Sequence, residues 1–143
     1  MDSAIEYFLE FQTAYFGAIL SPFKYGLATF IPAIGFLCLV AGVGVGLATR
    51  RRDFLLFLTL PIVSQAFVII SELMRGALQS PALEPVGSTI VLAFLLLQVA
   101  VAGYLACRAR GARLAASALA IFTVSYAFYA AFFAGMALAN DGL

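Results

Sequence analysis

The sequence predicts an all-α integral membrane protein, a four-helix bundle preceded by an interfacial amphipathic helix. Of its 143 residues, 64% are hydrophobic and 10% are charged, whereas an average soluble domain is about 45–50% apolar and about 25% charged. Four apolar stretches are each long enough to cross a hydrocarbon core of about 30 Å as a helix. We therefore expect a single membrane domain over residues 1–143.

The first segment, residues 3–20, is amphipathic. Glu6 and Glu10 share one of its faces with Thr13 and Gly17. Two glutamates in so short a run argue against a span, so we expect a helix that lies in the membrane interface. Its acidic character leaves docking on protein as an equal alternative to docking on lipid. The opposite face, which we expect to be the buried one, consists of Ile5, Phe8, Leu9, Gln12, Phe16 and Ile19.

Small residues in two of the spans predict close helix packing. Gly42 and Gly46 form a GxxxG pair in the first span, and Ala127, Ala131 and Gly135 recur every four residues in the last. Packing within one chain is favoured over dimerisation, because each span has three others available. The four spans are predicted at about 27–49, 54–74, 87–107 and 114–137.

Polar residues in the later spans are the candidate site. Gln65 and Gln98 fall near the middle of their spans, where a side-chain amide needs a partner. We expect Gln98 to pair with Gln65 or with a hydroxyl of the fourth span, holding the bundle in register or lining a polar cavity. The full candidate set is Ser64, Gln65, Glu72, Gln98, Ser125 and Tyr126.

Glu72 is the one carboxylate predicted inside or at the edge of a span. Arg75 lies one turn further on and is its expected partner. One interpretation is a proton or cation site. The other, which we favour, is an ion pair at a helix end, because a charge near the membrane surface is less costly than one at the centre.

The arginine clusters predict the orientation. Six of the eight basic residues lie in the turns 50–52 and 108–113, and basic residues in short turns beside spans are typically cytoplasmic. Four spans then place the N-terminus, the loop 75–86 and the C-terminus on the opposite side. We expect a multi-pass protein of the cell inner membrane with both termini in the periplasm.

Several kinds of chemistry have no residues to support them. The sequence has no histidine, which excludes histidine ligation of haem, pigments or metals. It contains no CxxC motif, no P-loop and no basic tract suited to nucleic acid. We therefore predict no enzymatic activity, no catalytic residue, no metal site and no cofactor, with bound lipid or quinone as the exception left open.

The predicted function is that of a non-enzymatic subunit or assembly component of a membrane protein complex. Its expected partners are the bilayer and either further copies of itself or a larger membrane assembly. The first alternative is a small oligomeric channel or transporter with a polar path through spans two to four. The second is a membrane subunit that binds lipid or quinone, with Tyr126 or Gln98 hydrogen-bonding a headgroup or carbonyl.

Overall fold

The computed structural model describes residues 2–21, 30–48, 55–75, 84–109 and 113–139, which form five α-helices. Four of them, α2 to α5, are long and apolar enough to cross a membrane, as the sequence predicts. Arginine turn 50–52 lies outside the described residues, as do positions 110–112 of the second turn. The helices are α1 (Asp2–Leu20), α2 (Phe30–Ala48), α3 (Leu55–Met74), α4 (Glu84–Arg108) and α5 (Arg113–Ala139).

Helix α5 is the centre of the fold. Helices α2, α3 and α4 each pack mainly against α5, and α3 and α4 contact each other far less. Alanine dominates the buried positions of α5, including Ala116, Ala127, Ala130 and Ala134, each with no exposed surface. Small side chains let three helices approach one central helix closely.

Helix α2 approaches α5 through glycines. Pro32, Gly35, Gly42 and Gly46 are its buried residues. A Cβ atom at Gly42 would lie 2.6 Å from the Leu119 Cγ atom and 3.2 Å from the Ala115 carbonyl oxygen. The contact therefore requires glycine, and the Gly42–Gly46 pair lies inside the chain's own packing.

Helix α4 also packs on α5, and open grooves lie along part of this contact. Two apolar grooves follow its contact with α5, one of about 520 Å³ that Gly87 and Gly135 help to line, and one of about 450 Å³ lined in part by Gly103 and Ala120. A Cβ atom at Gly135 would meet no atom within 4 Å. Ala127 and Ala131 are buried, and their helical spacing puts them on the same side of α5 as Gly135.

Helix α1 runs lengthwise beside the C-terminal half of α5. The Tyr7 ring lies 6.0 Å from the Phe133 ring, and the Tyr15 ring lies 4.8 Å from the Tyr126 ring. Eight residues of α1, about 12 Å, thus pass seven residues of α5, about 10 Å, in the opposite direction. Helix α1 therefore docks on protein, which is one of the two alternatives that the sequence leaves open for it.

The buried face of α1 is not the predicted one. Ile5, Leu9 and Phe16, expected to be buried, are each more than half exposed. The stripe that packs inward combines aromatic and small residues, which fit against the rings and alanines of α5 better than branched aliphatic chains do. Its members are Ala4, Tyr7, Phe11, Tyr15 and Ala18.

Candidate functional site

A polar junction joins α1, α3 and α5 at the middle of α5. Gln65 Nε2 donates a hydrogen bond to the Tyr126 hydroxyl oxygen at 3.0 Å, and Gln12 Nε2 donates to the same oxygen at 3.5 Å. Tyr126 is buried. One hydroxyl therefore accepts from two amides on two other helices and ties all three together.

Aromatic rings surround this junction. Phe11 has no exposed surface, and its ring lies 5.7 Å from Tyr126 and 5.3 Å from Phe133 in edge-to-face geometry. Tyr15 adds edge-to-face contacts with Tyr126 and with Tyr129. Edge-to-face pairs place the positive ring edge against the negative ring face, so the cluster contributes more than burial alone.

Tyr7 fixes the N-terminal part of α1. Its hydroxyl donates to the Phe133 carbonyl oxygen at 2.6 Å. This bond ties the N-terminal part of α1 to the backbone of α5.

Glu72 lies at the end of α3 and forms the expected ion pair. Arg75 Nη1 lies 3.2 Å from Glu72 Oε1 and 3.4 Å from Oε2. The Glu72 side chain is only 6% exposed, whereas that of Arg75 is 27% exposed. The buried Glu72 carboxylate and the partly exposed Arg75 guanidinium therefore form a local ion pair at the end of α3.

The remaining candidate hydroxyls bond within their own helices. Ser64 donates to the Leu60 carbonyl oxygen at 3.1 Å, and Ser125 donates to that of Phe122 at 2.8 Å. Ser125 also lies where a Cβ atom at Gly35 would collide with it, so it faces α2. Of the six candidate residues, the structure joins Gln65 to Tyr126 by a hydrogen bond, and Ser64 and Ser125 take no part in that junction.

The expected pairing of the two glutamines is not what the structure describes. Gln65 bonds to Tyr126, and Gln98 lies on α4, which packs mainly on α5 and little on α3. Gln98 is 4% exposed, and its Oε1 atom has no hydrogen-bond partner among the described residues. The Tyr15 hydroxyl is also buried, and it too has no hydrogen-bond partner among the described residues.

Metal binding by the described side chains would require several suitable ligands close together. No three His, Cys, Asp or Glu side chains among them lie close enough to hold a metal ion. The junction itself presents amides and neutral hydroxyls, which form hydrogen bonds and do not ligate metals strongly. What this arrangement can do is hold helices together and hydrogen-bond a polar group.

Sequence reasoning missed the aromatic face of α1 and the role of Gly35. The signal for the first was present, because aromatic residues recur at helical spacing in both partners. They lie four positions apart at Tyr7, Phe11 and Tyr15, and four and then seven positions apart at Phe122, Tyr126 and Phe133. Two matched ladders of rings predict that their faces meet. Gly35 lies one heptad before Gly42 and shares its face.

Comparison with known proteins adds no relative: no family model, no curated protein and no solved structure matches this chain. The class that the fold itself defines is a helical protein with four helices long and apolar enough for a membrane.

Proposed function

We propose that the protein is a non-enzymatic, polytopic inner-membrane subunit or assembly component of a membrane protein complex. One observation carries the proposal: most of the described polar side chains of the bundle interior are engaged in hydrogen bonds between helices or to the backbone of their own helix. Gln65, Gln12 and Tyr126 join three helices, and Ser64, Ser71, Thr123 and Ser125 bond to carbonyl oxygens of their own helices. Side chains used in this way support a scaffold better than a transport path.

The outer surface supports association in the membrane. Large apolar side chains are exposed on every helix, such as Leu37 at 69%, Leu97 at 64% and Phe132 at 58%. Such a surface is suited to contact with lipid chains or with other membrane helices, because both are apolar and the bilayer core contains no water. The residues that the structure describes lie almost entirely in helices, so in this proposal recognition of a partner takes place mainly along them.

We assign the arginine turns to the cytoplasm and both termini to the periplasm on the positive-inside rule. The structure is compatible with this even number of crossings, since the hydrogen bond between Tyr7 and Phe133 brings the first helix beside the C-terminal half of the last.

The experiment is to extract the protein from its native membrane in a mild detergent and measure the mass of the particle. We expect a particle well above the 15.2 kDa of one chain, after subtraction of bound detergent and lipid. Crosslinking in the intact membrane before extraction controls for dissociation by the detergent. A monomer in both measurements would overturn the proposal.

A second candidate function, binding of a lipid or quinone carbonyl, is favoured by the buried Tyr15 hydroxyl, which has no partner among the described residues. A buried hydroxyl without an acceptor is costly, and a ligand carbonyl would supply one. Mass spectrometry of molecules that copurify with wild type and with Tyr15→Phe tests this. A ligand retained equally by both proteins argues against a role for Tyr15.

A further inference from the structure

The outward face of α1 is divided into two stripes. Glu6, Glu10 and Thr13 are exposed along one flank. Exposed apolar side chains form the other flank, namely Ile5, Leu9, Phe16 and Leu20, each more than half exposed. These two stripes together are called the outer face of α1 below.

The depth of this face follows from the register between α1 and α5. Tyr7 lies beside Phe133 and Tyr15 beside Tyr126, so Glu10 lies between these levels. Phe133 is six residues before Ala139, the last residue of α5, which places Glu10 at least about 9 Å in from that end. The acidic stripe therefore lies beside the C-terminal half of α5, which is one of the four spans in the proposed arrangement.

Charge decides what can cover this face. A carboxylate alongside apolar surface at this depth is unfavourable in contact with lipid chains, and anionic headgroups repel glutamates. Arg75, the described basic residue near this end of the bundle, already pairs with Glu72. Neither Glu6 nor Glu10 forms an ion pair with any residue the structure describes.

We propose that the outer face of α1 is the docking surface for a membrane helix of a different protein. That helix carries a lysine or arginine level with Glu10 and apolar residues that cover Leu9 and Phe16. The inference rests on the proposed function, since it names where the partner binds and with what chemistry. The cation would neutralise the carboxylate, and the apolar contacts would bury the second stripe.

The test places a photo-crosslinking residue at Thr13, within the face, and for comparison at Leu97, which is exposed on α4. We expect Thr13 to crosslink to one membrane protein, through a segment that contains Lys or Arg, and Leu97 to crosslink to lipid. Crosslinks from Thr13 to lipid alone, or to a second copy of this chain, would overturn the proposal.

Charge reversal supplies the second arm. Glu10→Lys in the Thr13 crosslinking protein is expected to reduce the product at least about tenfold, because like charges then face each other. Glu10→Asp is the matched control and should retain most of the product. An unchanged thermal transition in detergent for Glu10→Lys would show that the bundle itself is intact. Equal crosslinking in both variants contradicts the proposal.

The outcome separates this inference from the proposed function. A large particle that persists in Glu10→Lys with unchanged crosslinks means that the partner docks elsewhere, and the proposed function stands. A wild-type monomer in the membrane would contradict both.

Discussion

Helix α5 receives α2 and α1 in two opposite ways. At the contact with α2, Gly35 and Gly42 bring backbone against side chain with no space left for a methyl group. At the contact with α1, rings fill the interface, and hydroxyls and amides cross it. The α2–α5 contact depends on the lack of side-chain atoms at the two glycines. The α1–α5 contact depends on the rings and polar groups that fill it.

The difference shows how a chain without strong amphipathicity can specify its neighbours. In an apolar solvent, burial of apolar surface does not by itself select a partner helix, so shape and hydrogen bonds must do so. Glycine supplies shape at α2, and tyrosine supplies both ring and donor at α1. The two contacts should therefore fail under opposite changes, addition of volume at α2 and removal of volume at α1.

The largest expected effect is at Phe11, which has no exposed surface and contacts five other rings. Phe11→Ala should destabilise the protein by about 3 kcal/mol or more, the usual cost of an emptied aromatic site. The free energy of unfolding, measured by titration with a denaturing detergent, checks this.

Phe16→Ala is the matched control, because Phe16 lies on the same helix and is 54% exposed. Its effect should be small. Equal losses for the two variants would mean that α1 does not dock by the face described.

The second effect is at Gly42. Gly42→Ala should destabilise the α2–α5 contact by about 1–3 kcal/mol, the typical cost of overpacking, since the added methyl group would lie 2.6 Å from Leu119 Cγ. Gly44→Ala is the control, because a Cβ atom there meets nothing within 4 Å. Thermal unfolding in detergent measures both. A Gly42→Ala protein as stable as wild type would show that the helices separate without cost.

Much of the fold could be predicted from composition and length. The predicted spans 54–74 and 114–137 agree with Leu55–Met74 and Arg113–Ala139 within two residues, because hydropathy identifies any segment that must satisfy its backbone in lipid. The central position of α5 could not be predicted. Polar and apolar residues are only weakly separated between the faces of α2, α4 and α5, so hydrophobicity does not indicate which other helix each of them meets.

The candidate site was harder to predict for a related reason. The positions of Gln65 and Gln98 along their spans predict a similar depth, but they do not predict which helices are adjacent. In the structure Gln65 bonds to Tyr126 and not to Gln98. On α1, hydrophobicity favoured Ile5 and Leu9 over Tyr7 and Tyr15. The tyrosines are buried because ring packing and a backbone acceptor for Tyr7 compensate for their hydroxyls.

The third effect is expected at the hydrogen bond between Gln65 and Tyr126. Gln65→Leu and Tyr126→Phe each remove one partner of a 3.0 Å hydrogen bond. A double-mutant cycle should give a coupling energy of about 0.6 kcal/mol and at most about 1.7 kcal/mol, the average and the maximum found for hydrogen bonds between membrane helices. Ser64→Ala with Tyr126→Phe is the control pair, because Ser64 bonds to Leu60 of its own helix. Strictly additive effects for Gln65 and Tyr126 would contradict the bond.

The smallest effect is expected at Gly135, in the contact between α5 and α4. Gly135 lines the groove toward α4, and a Cβ atom there would meet nothing within 4 Å. Gly135→Ala should therefore be neutral or raise stability by up to about 1 kcal/mol, since alanine favours the helix over glycine. The same substitution is expected to be costly at Gly42. Thermal unfolding of the two variants therefore distinguishes the cost of a steric clash from the gain in helix propensity. Destabilisation at Gly135 equal to that at Gly42 would mean that α4 packs on α5 as closely as α2 does.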